Sequence, residues 1–262
     1  AEIVSSRTSA LNNLAQCLRI VGRLDDAAAR LDEMRALCER YGKTATLIWI
    51  DGERVYERDL YGDLDGVIAA ANHFLSLPRA AESYQTRPVL ATRARAHLAR
   101  GQVEEAVADA ERALASFRES GQDAQIAGDI LTAAARCRRA AGRLGEAETL
   151  LDEALAGPLE EILLDLPLEL AELGRGDEYL ALTEGRAGFG WLEAARGAAA
   201  GDLIRASEIY GSFGARFPEA WAGLLAAERG DTSRLDAALA YFEEQRATPY
   251  VQRCRALLQA SA

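Results

Sequence analysis

The chain of 262 residues is 49% hydrophobic and 27% charged, with a formal net charge of −11. This acidic balance argues against DNA or RNA as the main partner, because a phosphate backbone is held by clustered Lys and Arg. No apolar run approaches the roughly 18 residues of a membrane span, and no charged-then-apolar leader opens the chain, so a cytoplasmic protein without a membrane partner is expected.

Aromatic residues are scarce and alanine is abundant, which suits closely packed helices better than sheets. Cys17, Cys38, Cys137 and Cys254 lie far apart and form no Cys-x-x-Cys. They read as buried thiols in a reducing compartment and not as a disulfide or metal framework. The first residue is Ala and not Met, which fits a piece of a longer protein.

In chain order, Leu11, Leu14, Ala15 and Leu18 give a first helix one apolar face, and Gly22 ends it. Leu24, Ala27, Leu31 and Met34 mark a second helix, so unit one runs from about Arg7 to Tyr41. Unit two turns at Gly62, followed by Leu64, Val67, Ala71 and Phe74. Units three and four fill 90–157, where Gly101, Val103, Ala106 and Ala110 recur as Gly142, Leu144, Ala147 and Leu151. The turn glycines at 22, 62, 101 and 142 are 40, 39 and 41 residues apart. A glycine suits each turn because a helix commonly ends on a left-handed residue. The alanine five places on from Gly101 or Gly142 marks a close helix crossing.

Beyond Gly157 the pattern tightens. Pro158 and Pro167 frame a short helix over 159–173, and a bend is expected near Gly157–Pro158. Helices follow over 191–200, from Pro218 to Glu228, over 233–246, and from Thr248-Pro249 to about Gln259 as a cap. The expected fold is all-α: a right-handed superhelix of stacked antiparallel helix pairs. Residues 1–157 would form four units, and 158–262 shorter, degenerate units continuous with them.

The pattern after each turn, with Leu14, Ala15, Gly22 and Ala27 in unit one and Ala94, Gly101 and Ala106 in unit three, resembles tetratricopeptide repeats. Their period of about 34 residues is exceeded, as in the repeat arms of bacterial signal-transduction ATPases of the maltose-regulator type. The stretch from Phe213 to Glu228, with Ala237–Phe242, Ala247–Tyr250 and Ala256–Leu258, is similar to the carboxyl end of actinobacterial ATPase/adenylate cyclase-type regulators. The resemblance implies a protein-interaction arm of a larger signalling protein, binding a peptide or a domain on its concave face. The alternative it implies is a sensor arm for a small inducer or anionic metabolite.

In that family the first helix of each unit lines the concave surface. Carried over by register, this places Asn12, Gln16, Arg19, Arg95, Thr132, Arg136 and Arg139 in the groove. Arginine forks grip carboxylate or phosphate, so the row either receives an acidic segment or anionic ligand, or pairs with the chain's own Asp and Glu. In unit two, Asp51, Arg54 and Arg58 stand where apolar or small residues are expected. Trp49 and Tyr56 are either core after a one-residue slip or aromatic contacts in the groove.

No catalytic constellation is legible. There is no phosphate loop and no His-Glu-x-x-His, and His73 and His97 belong to different units. Asp59, Asp63 and Asp65 lack calcium-loop spacing and read as capping and turn residues. Glu104/Glu105 and Glu160/Glu161 read as solvated faces, and the two Arg-Gly-Asp triplets as turns. A non-enzymatic chain with no cofactor or metal is expected.

Overall fold

The computed structural model describes residues 2–120, 123–157 and 164–260. Among these the chain is all-helical, with no strand. The first four pairs are α1 (Glu2–Ile20) with α2 (Leu24–Arg40), α3 (Thr44–Leu60) with α4 (Leu64–Ser76), α5 (Thr86–Ala99) with α6 (Val103–Glu119), and α7 (Ala127–Ala140) with α8 (Leu144–Ala156). Shorter helices follow: α9 (Leu166–Glu172), α10 (Gly176–Leu182), α11 (Gly190–Ala199), α12 (Leu203–Ser212), α13 (Arg216–Glu228), α14 (Leu235–Glu244) and α15 (Thr248–Ala260). Of the helix expected over 159–173, the described part forms α9. Pro158 and Glu160/Glu161 lie outside the described residues, and α10 was not anticipated.

One turn chemistry generates the pairs. At Gly22 the φ angle is 77°, and the Gly22 N–H donates to the Arg19 carbonyl (2.9 Å) while Arg23 N–H donates to Leu18 (2.8 Å). This is the Schellman closure, and it satisfies carbonyls that a helix end leaves open. It recurs at Gly62, Gly101, Gly142 and Gly201, with φ of 70°, 78°, 77° and 84°. Arg246 takes the same turn at φ 55° without being glycine.

Within a pair, small residues let the helices approach. Ala15, Val55, Ala94 and Ala135, each seven residues before its turn glycine, are all buried, so unit two does not slip in register. Ala106 and Ala147, five residues after theirs, are buried as expected. Leu14 and Leu144 are not, at 46% and 59% exposed. Leu14 points to the side of its helix away from α2, and Leu144 starts α8 at the turn of Gly142, where an added Cβ would meet none of the described residues.

Between units a polar ladder takes over. Arg54 pairs with Asp32 and Tyr61 donates to Asp25 of the preceding pair. One unit on, Arg93 reaches Asn72 and Arg100 reaches Asp65. The donors stand eight and one residues before the turn glycine, and their respective acceptors ten and three residues after the previous one. Arg54 thus breaks the apolar pattern of unit two because it faces a carboxylate on its neighbour.

The second half of the chain returns across the turns of the first three pairs. Trp191 Nε1 donates to the Arg19 carbonyl (2.8 Å), and the Phe213 ring lies over Gly22. Tyr241 donates to the Gly62 carbonyl (2.6 Å), Leu64 N–H donates to Gln245 Oε1 (3.0 Å), and Pro249 lies over Gly101. Leu60, Leu64 and Phe74 share one core with Tyr210, Trp221 and Phe242. The expected cap, α15, packs on α13, α14 and α5.

These contacts separate two glycine roles. A Cβ on Gly62 would meet the Tyr241 hydroxyl at 2.5 Å and the Phe217 nitrogen at 2.8 Å, whereas one on Gly142 meets nothing. Gly142→Ala should therefore lose only the left-handed penalty of about 1–2 kcal/mol, and Gly62→Ala clearly more. Equal losses in urea melts would contradict the packing of α13 and α14 on that turn. Ala106→Leu should lose ~1–3 kcal/mol by overpacking, read in the same melts.

Candidate functional site

Counting back from each turn glycine gives one inner face along the first helices of the four pairs. Gln16, Tyr56, Arg95 and Arg136 stand six residues before it, Asn12 and Thr132 ten, and Arg19 and Arg139 three. The inner face is open beside α1 and α3 and covered beside α7. Arg136 lies 4.3 Å over the Trp221 ring of α13 and donates to the Tyr250 hydroxyl of α15 (2.8 Å).

The open part is a cleft of about 590 Å³ between α1, α3, the start of α5 and the segment leading into α7. Its rim carries the exposed Gln16, Tyr84, Ala124 and Gln125. Its wall is a hydrogen-bonded chain: Arg19 donates to Glu53 Oε2, and Gln85 Nε2 donates to Glu53 Oε1 (2.6 Å). Arg19 is 5% exposed and lies 5.3 Å over the Tyr56 ring. Gly52 makes room for this chain, since a Cβ there would meet Gln85 Cβ at 2.5 Å. Val55, Val89 and Ile126 supply apolar surface beside it.

Behind the cleft the remaining arginines are neutralised by the chain itself. Arg95 faces Asp59, Asp129 (3.2 Å) and Asp165 (3.7 Å). Arg136 pairs with Asp165 and lies 3.4 Å from Glu169, while Arg139 grips Glu169 at 2.7 and 3.1 Å and reaches Glu172 at 3.4 Å. Glu172 also accepts from Trp221 Nε1 (3.0 Å) and faces Arg253 (3.3 Å). Burial pushes the Asp59 carboxyl up to about 6, against the pull of Arg95 and with help from Asp165. Asp129 is raised by the same burial. Burial also opposes ionisation of Glu172, yet Arg253 and Arg139 hold its carboxyl below the ordinary range.

Of the residues that the register projects into a groove, Gln16, Arg19 and Tyr56 line the cleft. Arg95, Thr132, Arg136 and Arg139 stand in or beside the buried network, and Asn12 is half-buried. Trp49 packs on the apolar clusters around Leu11, Ile50, Ala15 and Leu31, away from the cleft. Glu53, Gln85 and Asp165 carry no periodic signal, since each sits off the register or in a connecting segment. Asp59 could have been read, because it shares its register with Arg19 and Arg139. It belongs to the network and not to a solvated turn. Asp63 does cap α4, accepting from Gly66 N–H (2.8 Å). His97 is half-buried with Nδ1 2.7 Å from Gln102 Oε1. Cys38, Cys137 and Cys254 are buried free thiols, and Cys17 is exposed. Among the described residues no group of His, Cys, Asp and Glu is arranged to hold a metal ion.

Asp59 sets a pH dependence. With its carboxyl raised in the folded state, the fold holds a proton that the unfolded chain, near 3.8, has already released. The resulting stability is complete below pH 3.8 and lost as pH rises through about 6. Stability in urea should fall from pH 5 to pH 7, and Asp59→Asn should flatten that slope. An unchanged slope in the variant would contradict the assignment. Compared with known proteins, the chain matches no family model, no curated protein and no solved structure.

Proposed function

We propose that this chain is a non-catalytic recognition module of tetratricopeptide-like pairs, stacked in a right-handed superhelical sense. Its cleft beside α1 and α3 takes a small ligand, and the module serves as the sensing arm of a larger bacterial signalling protein, as the sequence resemblance implies. The observation that carries this reading is the cleft itself. Its volume of about 590 Å³ lies in the range of small-molecule sites, and it combines an apolar wall with a few fixed polar groups, as such sites do. Both Glu53 oxygens are engaged by Arg19 and Gln85, which supports a positioning role over that of a general base. The Arg19 carbonyl accepts from Trp191 of α11, so a ligand that shifts the end of α1 acts directly on the second half of the chain. Binding of a peptide or a domain is the second reading, supported by the exposed rim at Gln16, Tyr84 and Gln125, through which a partner's side chain could enter.

A ligand selective for the folded state stabilises it by mass action, by about 2.7 kcal/mol at a hundredfold excess over Kd, and so raises the melting temperature. A thermal-shift screen of amino acids, nucleotides, sugars and short peptides should yield one class that raises it. Gln16→Trp, at the exposed rim, should abolish that rise while leaving the unliganded melt unchanged. A rise that survives Gln16→Trp would place the ligand elsewhere, and no rise in any class would contradict the reading.

A further inference from the structure

Arg95, Arg136, Arg139 and Arg253 answer six carboxylates between them. The chain of pairs ends at Glu228 on one side and forks to Asp59 and Asp129 on the other. The network is thus short of positive charge, and the shortage is greatest around Arg95, where three carboxylates share one guanidinium. Of those three, Asp129 alone lines the cleft. Its Oδ1 accepts from Arg95 at 3.2 Å, while its Oδ2 takes no hydrogen bond from any described residue. Burial raises both the Asp129 and the Asp59 carboxyl, and Asp165 adds to the rise, as expected of acids that one cation cannot fully satisfy.

The cleft supplies no further cation to Asp129. Its charged lining is Arg19, Glu53 and Asp129, and Arg19 is engaged by Glu53. Arg87 stands outside the lining, 5.0 Å over the Tyr84 ring and donating to Ser120. The same wall holds an orphan donor. Arg19 is 5% exposed, and its Nη2 has no acceptor among the described residues. A buried donor left in that state is costly, and an oxygen of a ligand would relieve it. The net charge of −11 draws cations towards the chain and repels anions.

Building on the cleft reading above, we infer that the ligand is a small molecule with an ammonium or guanidinium group held on Asp129 and an oxygen acceptor for Arg19. Amino acids and amino alcohols fit this description. A dianionic metabolite does not, because every arginine of the inner face already holds a carboxylate of its own chain.

The test adds probes of one chain length to the thermal-shift screen: aminocaproate, hexylamine and hexanoate, beside lysine, arginine and glutarate. Probes with an amine should raise the melting temperature, aminocaproate more than hexylamine, while hexanoate and glutarate leave it unchanged. Asp129→Asn, which keeps the shape and one acceptor, should weaken aminocaproate binding by about tenfold or more, as loss of a charge-assisted hydrogen bond does. A rise confined to hexanoate and glutarate, and lost in Gln16→Trp, would overturn the inference and leave the cleft reading standing. Amine binding undiminished in Asp129→Asn would overturn it as well, and hexylamine equal to aminocaproate would remove the contact to Arg19. No rise with these probes or with any class of the wider screen would overturn both. The probe series uses the unaltered chain, so the inference remains testable should Asp129→Asn fail to fold.

Discussion

Asp165 stands between Arg95 of the third pair and Arg136 of the fourth, and the rest of the buried charge is arranged around that junction. Arg136 in turn meets Trp221 and Tyr250, so one chain of contacts joins the repeats to the helices that return across them. Buried ion pairs contribute little net stability, because desolvation offsets much of the attraction. What they contribute here is choice of neighbour. Only the arrangement that brings α13 and α15 beside α7 completes the surroundings of Arg136, and any other docking would leave its buried guanidinium without the Trp221 ring and the Tyr250 hydroxyl. The apolar core around Leu60, Phe74, Trp221 and Phe242 supplies the driving force that this geometry directs.

Much of the local structure was legible in the sequence, because it is written in residues close together. The glycine period located the turns, and each such glycine proved left-handed. Register counting found the inner face, including the row from Gln16 to Arg136. It failed where two faces of one helix are both apolar. Leu14 and Ala15 are neighbours in sequence, yet one meets α2 and the other meets water. It failed again for Arg54, whose reason lies on a helix 22 residues earlier. The return of the second half was illegible because its contacts span great sequence distances. Tyr241 and Gly62 are 179 residues apart and Trp191 and Arg19 are 172 apart, and no periodicity records such a pairing.

The same geometry bears on function. A row of arginines along an inner face invites an anionic partner, but Arg95, Arg136 and Arg139 already hold carboxylates of their own chain. The space left for a ligand is the cleft at the other end, where Arg19, Glu53 and Gln85 hold one another in place. A preorganised wall of this kind orders few side chains on binding, which lowers the entropic cost of recognition. Its link to Trp191 gives a bound ligand a direct contact with the returning helices.

The central claim is that repeats and returning helices form one cooperative body. Trp191 and Trp221 report on the second half and Trp49 on the first, so a Trp49→Phe chain makes tryptophan fluorescence a probe of the returning helices alone. Its urea transition should coincide in midpoint with the loss of helical circular dichroism, which reports on all the helices. Two separated midpoints would show that the halves unfold independently and would contradict the account.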